Sequence, residues 1–216
     1  MKRRTLDIAF SVGGALFAVL LLILGLVLSD QSDFASSYVH DELLEQKISF
    51  PEEYNGGETD VEGSGCLTEY AGTALDSGAK AECYANYYIN THLHHSAEGA
   101  GYPGETYSSM GGIIGGLRAE LTAAQESGDQ TAIDEAQAAV DAANGLRDTM
   151  FKGETLRGLL LTTYGFSIFG DRADTAALVC YLAAALLFLL SVAGIVHAFT
   201  SKHAKDVVVK VEHEGA

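Results

Sequence analysis

Apolar residues are massed near the two ends of the chain, and a polar stretch with short periodic segments separates them. Ile8 to Leu28 contains no charged side chain, and neither does Thr175 to Phe199. The first run has 21 residues, about 31 Å as a helix, against a hydrocarbon core of about 30 Å. The second has 25 residues and would cross a bilayer with some tilt. Inside lipid only a helix satisfies its own backbone hydrogen bonds, so two transmembrane helices are expected, at 8–28 and 175–199. Gly13-Gly14 with Ala18, and Cys180/Ala184 with Gly194/Ala198, form small-xxx-small faces that permit close helix packing. Small residues are also simply common in membrane helices.

Between the runs the pattern changes. Phe34, Tyr38, Asp41, Glu42, Glu45 and Ile48, with Leu43 and Leu44, suit a helix over about 33–48 that Pro51 would stop. Residues 52–65 read as an exposed Gly- and Glu-rich loop, and 66–72 as a short strand or turn. A helix is expected from about Lys80 to His95, broken by Gly99, Gly101, Pro103 and Gly104. Residues 106–150 read as a helical hairpin. Ile113, Leu117, Leu121 and Ala124 mark one arm, and Ile133, Ala136, Val140, Ala143, Leu146 and Met150 the other. Ser127-Gly128-Asp129 makes the turn, with Asp129 capping the second arm. Gly111, Gly112, Gly115 and Gly116 each cost about 1 kcal/mol against alanine, so a late helix start or a kink is expected there. Residues 154–170 look too short and interrupted to span. With Tyr164, Phe166 and Phe169 they read as a juxtamembrane segment at the membrane–water interface, or else as ordinary domain core.

Charge orients this arrangement. Lys2, Arg3 and Arg4 precede the first run, and Lys202, Lys205 and Lys210 follow the second. By the positive-inside rule both tails, 1–7 and 200–216, belong in the cytoplasm, and 29–174 outside. A cleavable signal peptide is the rival reading of the first run. Its apolar stretch exceeds the usual ~7–15 residues, and Val27-Leu28-Ser29-Asp30-Gln31 lacks a small-x-small cleavage pattern. Residues 29–174 carry 25 Asp and Glu against 7 Lys and Arg, which argues against nucleic acid or an anionic lipid surface as partner. Cys66 and Cys83 fall in this segment, and an even pair in an oxidising compartment suggests a disulfide, worth about 3 kcal/mol for a loop of this length. Two free thiols are the alternative. Cys180, inside the second run, reads as a packing residue.

The candidate chemistry is thin. His92, His94 and His95 could ligate zinc or copper with carboxylates from elsewhere, though the spacing matches no hydrolase motif. Histidines near a helix C-terminus are also favoured by its dipole. His40-Asp41 are adjacent and do not face each other on a helix. His197 is expected at the interface, with no partner inside the spans. No nucleophile elbow, phosphate loop or dinucleotide fingerprint occurs, and no catalytic residue or cofactor is expected.

Lys2-Arg3-Arg4-Thr5-Leu6-Asp7, Tyr38-Val39-His40-Asp41, Glu69-Tyr70-Ala71-Gly72, Lys152-Gly153-Glu154-Thr155-Leu156-Arg157-Gly158-Leu159-Leu160-Leu161 and Tyr164-Gly165-Phe166 carry a resemblance. With them the chain resembles uncharacterised two-span membrane proteins of actinobacteria, over most of its length. The resemblance implies a plasma-membrane location and no activity. Proteins of this kind sometimes bear the label of aromatic-ring-opening dioxygenase. Such an iron site needs two histidines and a carboxylate in a cytosolic catalytic domain, and only the clustered outer histidines are offered here.

The expected fold is mainly α: two transmembrane helices flank an extracytoplasmic helical domain with a hairpin and one disulfide. The expected role is that of a non-enzymatic accessory or scaffold subunit. It would act through contacts with other membrane or envelope proteins, or as a homo-oligomer. An extracytoplasmic metal or small-ligand binder is the second reading. A channel-forming oligomer is the third, and the lack of polar pore-lining residues in the spans weighs against it.

Overall fold

The chain's two prolines stand at 51 and 103, so nothing of that kind interrupts the residues before or after the central stretch. The computed structural model describes residues 3–201 and residue 206. It begins with one helix, α1 (Arg3–Glu45), and ends with another, α6 (Gln130–Thr200). Between them lie a 3-10 turn (Glu58–Asp60), α2 (Gly65–Glu69), α3 (Gly78–Cys83), a π-helical turn (Tyr84–Ile89), α4 (Asn90–Gly99) and α5 (Met110–Ser127). No strand occurs among the described residues; a single antiparallel bridge joins Ser49 to Ala74.

Several boundaries differ from the sequence expectation. The helix foreseen over 33–48 is the continuation of α1 and ends at Glu45. Gln46 and Lys47 N–H groups donate to the Leu43 and Leu44 carbonyls, and Lys47 turns left-handed at φ 55°. The next residues are claimed by another segment: Phe50 N–H donates to Thr73 O, and Leu75 N–H to Ile48 O, both at 2.9 Å. Residues 66–72, expected as strand or turn, contain the helical turn α2, which buries Leu67 completely. The helix expected from Lys80 to His95 is longer, running from Gly78 to Gly99 through α3, the π turn and α4, with the Ser77 hydroxyl accepting from Lys80 N–H. Gly111, Gly112, Gly115 and Gly116 do not delay α5. They lie in its first turns. Gly128, left-handed at φ 72°, closes α5, and Asp129 Oδ1 accepts from Thr131 N–H at 3.0 Å, as the hairpin reading required.

The stretch 154–170, expected to be interrupted, is instead the middle of α6, whose 71 residues run unbroken from the hairpin to the end of the apolar run. Two glycines of α6, Gly153 and Gly170, stand where neighbours come close. A methyl group at Gly153 would collide with the Leu93 side chain, and one at Gly170 would stand 3.0 Å from Ala35 Cβ. Leu160 is buried in a core, with Leu156 and Leu161 packed beside it.

The chain divides into two compact units. Unit 1 holds α1 up to Ser36 and α6 from Phe169 onward. Here the two helices pair antiparallel in one register. Arg4 lies 4.4 Å over the Phe199 ring, and Asp7 Oδ2 is 3.1 Å from His197 Nδ1, a partner the sequence reading did not assign. Ser11 packs on Gly194, and reciprocally a methyl at Gly14 would stand 2.7 Å from Ser191 Oγ. One at Gly25 would stand 2.6 Å from the Tyr181 ring, whose hydroxyl donates to Ser29 Oγ at 3.2 Å. Ser11, Ala18, Ala177, Ala184, Ser191 and Ala198 are all buried in this pairing. The large apolar side chains point elsewhere. Phe10 is 79 % exposed, Leu16 64 % and Leu189 65 %. Only 17 % of the most apolar window of α1 and 11 % of that of α6 is buried, whereas a core helix of a water-soluble protein is mostly buried. Both helices are long and apolar enough to cross a membrane.

Unit 2 spans Ser37–Ile168 and has two apolar cores. One gathers Val39, Leu43, Phe50, Leu67, Leu75, Ala81, Cys83, Ala85, Ile89 and Leu160 around the Cys66–Cys83 disulfide, whose Cα atoms are 6.2 Å apart. The other is the hairpin: Met110 and Ile114 of α5, Ala143, Leu146 and Met150 of α6, and Ala97 of α4. His40 Nδ1–H donates to the Asp76 carbonyl at 3.1 Å, joining the end of α1 to the segment before α3. Lys80 meets Asp76 at 2.9 Å and lies 5.8 Å over the Tyr70 ring.

Leu67 is fully buried where α2, the disulfide and the first core meet. Leu67→Ala should lower the unfolding free energy of this unit by about 2–5 kcal/mol. Chemical denaturation followed by near-UV circular dichroism of the tyrosines checks this; a loss below about 1 kcal/mol would contradict the packing described.

Candidate functional site

Polar chemistry in unit 2 concentrates where the helix after Cys83 widens. α3 is tied to α2 by the disulfide, and from Tyr84 to Ile89 the backbone takes π geometry before returning to α-helix at Asn90. A π turn shifts the phase of the residues after it, and such turns are frequent at functional sites. Here it stacks aromatic rings. The Tyr84 and Tyr88 ring centroids lie 4.6 Å apart, and Tyr88 and His92 4.3 Å apart. Phe50 meets the Tyr84 ring edge-on at 5.2 Å, and Tyr54 meets Tyr88 at 6.2 Å.

The loop before α2 brings an acid to this column. Glu58 is only 5 % exposed although its turn is short. Its Oε2 accepts from Gly56 N–H at 2.8 Å, and its Oε1 stands 3.5 Å from His92 Nε2. His92 Nδ1–H donates to the Tyr88 carbonyl at 2.8 Å, which fixes the ring and turns Nε2 toward the carboxylate. Gly57 (φ 77°) and Gly63 (φ 89°) carry the loop through left-handed turns, and a methyl at Gly63 would stand 2.5 Å from the Tyr87 hydroxyl. The Tyr54 hydroxyl is enclosed without a hydrogen-bond partner among the described residues. Burial raises its pKa, and Tyr88 and then Glu58 raise it further. Burial likewise pushes the Tyr84 phenol up to about 12, assisted by Tyr88 and Tyr54.

The sequence-predicted residues are dispersed around this site. His92 faces Glu58, and His95 borders the same loop, its Cε1 4.0 Å from where a Gly57 methyl would lie. His94 instead lines a separate cleft with Asn90, Glu105 and Arg157. Among the described residues no three His, Cys, Asp or Glu side chains converge to hold a metal ion. Cys66 and Cys83 are bonded, and Cys180 is free and half-buried. Tyr164 is half-buried, Phe166 is 40 % exposed and meets the Tyr38 ring at 6.2 Å, and Phe169 is 76 % exposed. Sequence reasoning missed Tyr54, Glu58, Tyr84 and Tyr88. The signal available was the density of tyrosine after Cys83, in Tyr84-Ala85-Asn86-Tyr87-Tyr88.

The Tyr84 shift has a definite sign. A phenol whose folded pKa exceeds the unfolded value of about 10 contributes stability that is complete below pH 10 and lost as pH rises toward 12. Unit 2 should therefore lose stability between about pH 10 and 12, and Tyr84→Phe should flatten that loss, as read from denaturation midpoints across the range. An equally steep loss in the variant would show that Tyr84 is not its source. Comparison with known families, curated proteins and solved structures yields no match to this chain.

Proposed function

We propose that this chain is a two-span integral membrane protein with both termini in the cytoplasm. Its acidic helical unit stands outside and acts as a non-enzymatic accessory or scaffold subunit through contacts with other membrane or envelope proteins. The observation that carries the membrane reading is the inverted packing of unit 1. Its small and hydroxyl side chains are buried between the helices, and its leucines and phenylalanines are left bare. That is how helices pack in lipid, where the tails solvate large apolar groups and close backbone approach supplies the attraction. The continuity of α1 favours an anchor over a cleaved signal, since Val39 and Leu43 on the same helix belong to the first core of unit 2. Arg3 and Arg4 at the start of α1 support the orientation; Lys2, Lys202, Lys205 and Lys210 lie outside the described residues.

The contact reading rests on α5. Its Gly111, Gly112, Gly115 and Gly116 each cost about 1 kcal/mol of helix propensity relative to alanine, and a methyl at any of them would meet nothing within 4 Å. No described residue fills the space they leave open, and a second helix fits such a face. Affinity purification of the full chain in mild detergent should recover a stoichiometric protein partner or a homo-oligomer. The double substitution Gly112→Leu/Gly116→Leu should abolish that association while leaving the circular dichroism spectrum unchanged. A clean monomer with no co-purifying protein would contradict the scaffold reading.

A further inference from the structure

Residues 29–174 hold only 7 Lys and Arg, yet three of them, Arg147, Lys152 and Arg157, fall close together on α6. The first stands in a cleft. Arg147 Nε–H donates to the Tyr107 carbonyl at 3.3 Å, and its guanidinium lies 4.3 Å over the Tyr107 ring. Phe151 also meets that ring, tilted at 46°, with centroids 5.4 Å apart. Tyr107, Asn144, Arg147, Asp148 and Phe151 line a cleft of about 230 Å³.

The polar atoms left over in this cleft are complementary to one another. The two Nη groups of Arg147 make no hydrogen bond among the described residues, so a planar donor fork is available for a carboxylate. Asp148 uses Oδ2 to meet Lys152 at 2.6 Å, leaving Oδ1. Asn144 spends its amide N–H on the Val140 carbonyl at 2.8 Å, leaving its own oxygen as an acceptor. Beside them are two aromatic faces, Tyr107 at 36 % and Phe151 at 50 % exposed. A simple anion would satisfy the fork but would be repelled by Asp148 and by the surrounding excess of carboxylates. A simple cation would satisfy Asp148 but meet Arg147. A zwitterion feels no net repulsion and pairs with both. The volume lies below the ~300–1,000 Å³ usual for larger ligands, which suits a molecule of amino-acid size.

We propose that the Tyr107–Arg147–Phe151 cleft binds a free amino acid with an apolar side chain. The carboxylate sits on the Arg147 fork, the ammonium on Asp148 and Asn144, and the side chain on the two rings. The site belongs to unit 2 alone and does not depend on where that unit lies or on what it docks with.

Calorimetric titration of the full chain in detergent micelles tests this with three probes: L-phenylalanine, phenylpropionate, which lacks the amine, and phenethylamine, which lacks the carboxylate. Phenylalanine should saturate with a Kd of about 0.1–1 mM, and each truncated probe should bind at least about tenfold more weakly. Arg147→Gln should weaken both carboxylate probes about tenfold or more. Because Arg147 also holds Tyr107, the discriminating variant is Asp148→Asn, whose only other polar side-chain contact among the described residues is the exposed pair with Lys152. It should weaken phenylalanine about tenfold and leave phenylpropionate unchanged. No saturation by phenylalanine up to about 10 mM would overturn the assignment. So would equal affinity for phenylpropionate, or indifference of phenylalanine binding to Asp148→Asn.

Discussion

Large apolar side chains on α1 and α6 stand without a covering among the described residues. Leu16, Phe17, Leu20 and Leu24 on one helix, and Leu182, Leu186 and Leu189 on the other, stay exposed while Ser11, Ala18, Ala184 and Ser191 are buried. At about 25 cal/mol for each Å² of apolar surface, leaving so many bare side chains in water carries a large cost. In lipid the constraint reverses. Leucine gains nothing by turning inward, and the helices are held by the close approach that Gly14, Gly25 and Gly194 allow. The register follows from these notches, because Ser11 enters at Gly194 where Ser191 enters at Gly14. The Asp7–His197 pair and the Arg4–Phe199 contact extend the same alignment toward the ends that carry the basic flanks.

Unit 2 is organised by a different kind of constraint. Its central part is built from short helical pieces, and short helices do not stand alone. The long helices supply the missing support: Val39 and Leu43 of α1 and Leu160 of α6 complete a core that α2, α3 and the π turn could not close by themselves. The disulfide fixes α2 against the end of α3, and the π turn that follows directs Tyr84, Tyr88 and His92 into one stack. Glu58 is thereby enclosed beside an imidazole, a costly placement for a carboxylate unless a donor faces it, and Gly56 N–H is such a donor. The hairpin core is simpler, with small and medium apolar residues on facing helical stripes.

How much of this was legible in the sequence depended on which physical signal each feature leaves. Long uncharged runs and a period near 3.6 leave strong ones, so two lipid-length helices, the hairpin, its Asp129 cap and the cysteine pair could all be read. Glycine misled. Gly158, Gly165 and Gly170 looked like interruptions, yet α6 passes through them; close packing against Ala35 accounts for Gly170, while Gly158 and Gly165 have open space around them. The π turn left no trace, since its spacing differs from an α-helix by a single inserted residue. The histidine cluster was close in sequence but not in space: His92 and His94 sit on different sides of α4. Ser11 and Ser191 were passed over as uncharged members of apolar runs, although burial between helices is where a hydroxyl in such a run matters.

The proposed function requires α1 and α6 to cross a bilayer with residues 37–168 on the outer face. The most direct measurement places a single reactive cysteine at the hairpin turn, Ser127→Cys in a Cys180→Ala background, and treats intact cells with a membrane-impermeant maleimide. Ser127 is exposed at the end of α5, so access depends only on which side of the membrane it occupies. Labelling of intact cells to the same extent as permeabilised ones is the predicted result. Labelling that appears only after permeabilisation would contradict it.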